Sequence, residues 1–228
     1  MECIFIPELD NASGIIIPPI DEAKHLKALH LNTGDKVLCV NGIGGAAVCN
    51  IIREGKNDFK LSITEYKDES DIKQPKVALG LGILDDKSRF EYALEKGIEL
   101  GMNHFYPLIT QFSQKEKVAL DRLKMKSISA IKQCKRAFLP EIHTPIKPET
   151  IALRFSEFST VLIADENGLS ARELSITNDI LLLVGPEGGF SEPEIKLFKD
   201  AGALSLKLGN TRLRAETAAI AGLARILV

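Results

Sequence analysis

Ile180-Leu181-Leu182-Leu183-Val184 is apolar on both alternating faces, and it breaks at once into Gly185-Pro186-Glu187-Gly188-Gly189-Phe190-Ser191. A strand with no polar face must be covered on both sides, as in a parallel sheet flanked by helices. Three glycines and a proline within five residues turn the backbone tightly and let it approach a ligand without interference from Cβ atoms. Ser191, with Glu194 three residues on and Pro193 in the first turn, reads as the N-cap and capping box of a following helix. The same order of strand, loop and helix recurs at residues 204–208, Gly209-Asn210 and residues 214–227, and there Arg212, Arg214, Glu216 and Thr217 stand within six positions. Ligands of open α/β sheets bind outside the carboxyl ends of strands, so both loops lie where a site is expected. Taken singly, each loop is also explained by ordinary turn chemistry, and Glu216 by the preference of carboxylates for a helix N-terminus. Their pairing and order are the specific signal.

Strand-like and helix-like runs alternate from residue 77 onward, at 77–84, 88–100, 105–109, 117–138, 160–164, 180–184, 192–201, 204–208 and 214–227. Such alternation predicts a parallel sheet covered by helices. Residues 34–64 read differently. Short β-rich runs at 36–40, 46–53 and 59–64, separated by the Asn41-Gly42 signal and a turn at 55–58, predict an antiparallel meander compact enough for a small barrel. Residues 21–29 predict a short helix with His25 and His30. The charged stretch 67–76, closing on Pro75, reads as a linker, which divides the chain into residues 1–72 and 73–228. Asn41-Gly42-Ile43-Gly44-Gly45 lies inside the hairpin pattern, and Gly80-Leu81-Gly82 lacks the third glycine of a dinucleotide fingerprint, so both are read as turn or packing glycines.

The residues of the two loops carry a family resemblance. The Gly-Pro-Glu-Gly-Gly loop followed by Ser191 and Glu194, together with Leu208-Gly209 and Leu213-Arg214-Ala215-Glu216-Thr217-Ala218, resembles the signatures of bacterial uridine-N3 methyltransferases of small-subunit ribosomal RNA. That family belongs to the SPOUT superfamily of knotted, S-adenosylmethionine-dependent RNA methyltransferases. Weaker similarity extends through Lys96-Gly97-Ile98-Glu99-Leu100-Gly101 and Lys132-Gln133-Cys134-Lys135-Arg136 with Leu139-Pro140, although Gly97-Ile98, Lys132 and Phe112 depart from the family pattern. The resemblance implies an α/β SPOUT-type parallel sheet with a C-terminal trefoil knot, preceded by a PUA-like, RNA-binding β-barrel over residues 1–72. It also implies S-adenosylmethionine as cofactor, ribosomal RNA or the small ribosomal subunit as partner, a homodimer and a cytoplasmic setting.

Composition bounds the other classes. The four cysteines show neither CxxC pairing nor zinc spacing, which favours a reduced intracellular set. No apolar stretch is long enough to span a bilayer, and the N-terminus lacks a basic leader segment, so neither membrane anchor nor signal peptide is expected. His104 and His143 stand apart from any Cys or carboxylate cluster in the sequence, and no metal is expected. A net charge of −2 means that any contact with nucleic acid must rest on local charge. Residues 113–136 hold eight Lys or Arg against Glu116 and Asp121, with apolar residues at roughly helical spacing. The basic residues are therefore expected on one outward face, and Lys124, Lys126, Lys135 and Arg136 are the candidate phosphate contacts.

The expected reaction sets the candidate roles. A sulfonium methyl donor needs little help as a leaving group, whereas uridine N3 is a poor nucleophile until its imide proton is lost. Arg214 is the candidate to stabilise the resulting anionic edge, and Glu187 or Glu216 is the candidate base, each with an alternative role in holding its loop. The cofactor is expected against Ala164, Leu183, Gly185, Pro186, Glu187, Gly188, Leu208, Gly209, Leu213, Arg214, Thr217 and Ala218. A noncatalytic RNA-binding assembly factor with the same fold, or an enzyme of the same fold acting on another RNA, are the competing readings.

Overall fold

The structure, a computed structural model, describes residues 1–10, 14–55, 58–170 and 179–227. Part of the turn expected at 55–58 lies outside the described residues. The chain forms two units, one of Met1–Lys73 with Ile128–Leu139, the other of Gln74–Ser127 with Pro140–Val228.

In the first unit, β3 (Lys36–Val40), β4 (Gly45–Arg53) and β5 (Phe59–Asp68) form the expected antiparallel meander. Its first turn is set by Asn41, whose side-chain oxygen accepts the Ile43 and Gly45 N–H groups at 2.9 and 2.8 Å. Two strands escape the sequence pattern: β1 (Glu2–Phe5), parallel to β3, and the two-residue β2 (Ile15–Ile16), against β5. The sheet order is β1-β3-β4-β5-β2, with no ladder between β1 and β2 among the described residues. Helix α1 (Ile20–Ala28) carries His25 but ends before His30, whose φ of 56° is incompatible with helix. Ile4, Leu26, Val37, Cys39, Cys49, Ile51, Phe59 and Leu61 form the core. Strand β5 runs to Asp68, so it takes up the start of the stretch expected to be linker.

The second unit is built on a six-stranded, wholly parallel sheet. Its strands are β6 (Val77–Gly82), β7 (His104–Leu108), β8 (Glu141–Ile142), β9 (Thr160–Ser170), β10 (Ile180–Val184) and β11 (Leu204–Lys207), in the order β11-β9-β10-β6-β7-β8. Strand β10 lies between β9 and β6 with all five residues buried, as its sequence requires. Helices α2 (Lys87–Leu100), α3 (Leu120–Cys134, of which the part from Ile128 belongs to the first unit), α4 (Pro148–Ala152), α5 (Glu192–Asp200) and α6 (Ala215–Leu227) complete the alternation. Asp86 caps α2 by accepting the Ser88 N–H at 2.8 Å, and α5 begins at the expected capping box, with the Ser191 N–H and hydroxyl both donating to Glu194. Helix α3 is shorter than its apolar spacing suggests. Lys135, at φ 58°, stops it and leaves Phe138 outside.

One close approach ties the sheet to the first glycine loop. A Cβ at Gly82, the last residue of β6, would lie 2.4 Å from Pro186 Cδ and 2.5 Å from its nitrogen, so only glycine lets the loop sit against that strand end.

Candidate functional site

Strand β9 is longer than its apolar run. Its register against β11 passes from Ile163 directly to Leu169, so the intervening residues leave the ladder as a bulge beside the carboxyl end of β10. That bulge and the loops after β10 and β11 together line a cleft of about 660 Å³. Ala164, Gly185, Pro186, Glu187, Gly188, Leu208, Gly209, Leu213, Arg214 and Ala218 all line it, as the sequence reading expects. Leu183 and Thr217 do not. Leu183 is fully buried against the position of Gly80 inside the sheet, and Thr217 is exposed on the outer side of α6. The end of the strand, Val184 and Gly185, lines the cleft instead.

The three candidate catalytic residues line this one cleft. Arg214 is exposed and has no ion-pair partner among the described residues. The Glu187 carboxylate accepts the Asp85 N–H at 3.2 and 3.4 Å, which ties its loop to the segment following β6. Glu216 lies in the first turn of α6 with a side chain only 13 % exposed, 3.9 Å from Arg89 Nε. Arg89 itself lines the cleft from α2, a position the sequence pattern did not mark. Asp165 and Glu166 of the bulge were missed in the same way. Burial pushes the Asp165 carboxyl up, but the Asn167 N–H, the Ser205 hydroxyl and Lys199 outweigh it and hold the carboxyl below its usual range. The cleft thus offers carboxylates (Asp165, Glu166, Glu187, Glu216) and guanidinium groups (Arg89, Arg212, Arg214) within one concavity. A cationic donor and an acceptor that becomes anionic need such a mixed lining.

The basic residues over 113–136 lie largely at the surface, as expected, with Lys117, Arg122, Lys124 and Lys135 exposed, but several are already ion-paired. Lys115 pairs with Asp85 at 2.8 Å, Arg122 with Glu91, Lys126 with Glu95 at 2.6 Å, and Lys132 with Glu22 at 2.7 Å. Acidic residues of other elements therefore neutralise much of the stretch. Of the four candidate phosphate contacts, Lys124 and Lys135 are exposed, Lys126 is engaged, and Arg136 is partly buried, with its guanidinium pKa lowered by that burial. Lys124 and Lys126 fall in the second unit, Lys135 and Arg136 in the first.

His104 and His143, read in the sequence as standing apart from any Cys or carboxylate cluster, come together with Glu141: His104 opens β7, Glu141 opens β8 and His143 directly follows β8, at the amino end of the sheet and away from the cleft.

Comparison with known proteins agrees with this geometry. Residues 72–227 match the family model of an RNA methyltransferase domain, and residues 17–64 match that of an RNA methyltransferase PUA domain. The chain is 32 % identical over 179 residues to the ribosomal RNA small subunit methyltransferase E of Mesomycoplasma hyopneumoniae, spanning 75 % of this chain and 77 % of that one. It is 30 % identical over 210 residues to the protein of the same name from Rickettsia conorii, spanning 87 % and 82 %. Among solved structures, a Legionella pneumophila protein determined with bound S-adenosylmethionine is 26 % identical and superposes with a TM-score of 0.84 over 98 % of this chain and 96 % of that one.

Proposed function

Because this chain belongs to the RNA methyltransferase family, together with the ribosomal RNA small subunit methyltransferase E proteins, we propose that it methylates N3 of one uridine in 16S ribosomal RNA, with S-adenosylmethionine as donor. The observation that carries this reading is the convergence of the β9 bulge and both glycine-rich loops on one cleft of mixed charge. The residues fit the cofactor. Val184, Leu208, Leu213 and Ala218 supply apolar contact for an adenine, and the glycines leave backbone groups accessible to it. When bound, the cofactor supplies an electrophilic methyl group on a positively charged sulfur, which the cleft carboxylates complement.

Arg214 acts on the acceptor. Its guanidinium forks onto a planar edge and stabilises the charge that uracil oxygens gain as N3 passes its proton to a base, for which Glu187 and Glu216 of the same cleft are the candidates. The hydrogen bond of Glu187 to Asp85 supports a role in holding the first loop, and the burial of Glu216 beside Arg89 supports a role in ordering the start of α6. Holding methyl, sulfur and N3 in line supplies the remaining acceleration.

In this reading residues 1–72 contact RNA, the C-terminal segment forms the trefoil knot of the SPOUT fold, and the protein acts in the cytoplasm. Among the described residues no helix is long and apolar enough to cross a membrane. Helix α6 packs on α2 and also on β10 and β6, yet Ile220, Ala221, Ala224 and Ile226 remain partly exposed, which supports burial against a second copy in a homodimer.

A direct test incubates the purified chain with labelled S-adenosylmethionine and small ribosomal subunits lacking the modification. Label recovered in 3-methyluridine is expected. Cofactor binding without transfer to any RNA would favour the noncatalytic assembly factor, and label in another nucleoside would move the substrate.

A further inference from the structure

His104 opens β7 and faces Glu141 across the parallel β7–β8 ladder. His143 stands two residues beyond Glu141 and continues that ladder, its N–H donating to the Phe105 carbonyl at 2.9 Å. Cross-strand partners and residues two apart share a face, so the backbone itself directs all three side chains to the same side of the sheet edge. His104 Nδ1 lies 3.3 Å from His143 Nε2 and 3.5 Å from Glu141 Oε2, and His143 Nδ1 lies 3.3 Å from Glu141 Oε1. The His143 ring is stacked on that of buried Tyr106 at 3.9 Å and 5°, which fixes its plane.

We propose that His104, Glu141 and His143 form a binding site for a divalent transition metal ion of the zinc type, a site separate from the methyltransferase cleft. One donor atom from each residue lies within 4.8 Å of the others. Bonds of about 2.0–2.1 Å in tetrahedral geometry place donor atoms roughly 3.3 Å apart; with His143 binding through Nε2, the 3.3 Å spacing to His104 Nδ1 and the 3.5 Å spacing from His104 Nδ1 to Glu141 already match, and the Glu141 carboxylate, now directed at His143 Nδ1, turns to complete the set. Two imidazoles and a carboxylate select zinc-like ions over calcium or magnesium, which prefer oxygen. The side chains of His104, His143 and Glu141 are 23, 15 and 63 % exposed, so an ion enters from solvent and water completes its shell. Nearby Lys76 is neutralised by Glu157. The ion's place at the amino end of the sheet assigns it a structural task. It clips the two-residue edge strand β8 and the segment beyond it onto β7.

The test uses the purified full chain, stripped with chelator and titrated with zinc chloride by calorimetry, with cobalt chloride as a spectroscopic probe of tetrahedral geometry. One equivalent is expected to bind in the micromolar range or tighter, raising Tm. His104→Asn and His143→Asn should each weaken binding about tenfold or more and abolish the Tm shift, with cofactor affinity unchanged. If either histidine variant fails to fold, Glu141→Ala, at an exposed position, carries the test. No heat with zinc, or unchanged zinc affinity in Glu141→Ala, would overturn the proposal and leave the three residues as a hydrogen-bonded network.

Discussion

Arg214 and Gly209 separate the two halves of the site at the scale of single residues. Arg214 is asked to stabilise charge that exists only as N3 attacks, so Arg214→Ala should lower the single-turnover rate by about 100-fold, the usual cost of losing one oxyanion donor. RNA and cofactor affinities should change far less, and an unchanged rate at saturation would reduce Arg214 to a loop residue. Gly209 lines the cleft, and a Cβ there would meet nothing closer than Thr211 at 4.0 Å. Gly209→Val should therefore fold normally while weakening S-adenosylmethionine binding about tenfold or more by calorimetry, because the added bulk enters cofactor space. Wild-type affinity would remove this loop from the cofactor site. Gly188 is a poorer probe, since its Cβ would lie 2.9 Å from Phe112 Cβ and disturb the loop's own packing.

Ion pairing decides what helix α3 can do. Lys124 is exposed, whereas Lys126 is committed to Glu95. If α3 tracks phosphate, Lys124→Ala should reduce the salt slope of RNA binding by about 0.7 to 0.9, and Lys126→Ala by much less. Equal slopes for both variants and wild type would remove the helix from the RNA interface. On the same helix Arg122 holds the Glu91 carboxyl below its usual range by hydrogen bonding, against the burial that would raise it. A depressed carboxyl pKa contributes stability that is present above the unfolded value near 4.5 and lost as pH falls through the folded value. Arg122→Ala should thus destabilise modestly at neutral pH, and in denaturant titrations that difference should shrink once the medium is more acidic than pH 4.5. A penalty independent of pH would mean that the pair contributes packing only.

These elements also show what a sequence can disclose. The run of β10, the capping box of α5 and the meander of β3 to β5 were legible because each repeats a period or a cap over several residues. Strands β2 and β8 have two residues each and carry no period. The bulge of β9, which brings Asp165 and Glu166 to the cleft, depends on pairing with β11 that no local pattern encodes. The partners of Arg122, Lys126 and Lys132 lie on other elements, so a charge count along α3 overstates its free charge. His104 is likewise joined to Glu141 and His143 only by the ladder.

For the molecule as a whole, the proposed chemistry falls to one cleft of the second unit, while the basic residues expected to hold RNA are divided between the two units. The proposed function is the methylation of a single uridine in 16S ribosomal RNA. Mass spectrometry of nucleosides from purified 16S ribosomal RNA, comparing cells that contain the protein with cells that lack it, tests this most directly. Loss of 3-methyluridine from the deficient cells, with its return on expression of the wild-type chain but not of an Arg214→Ala chain, is the predicted result. Undiminished 3-methyluridine in the 16S ribosomal RNA of cells lacking the protein would contradict it.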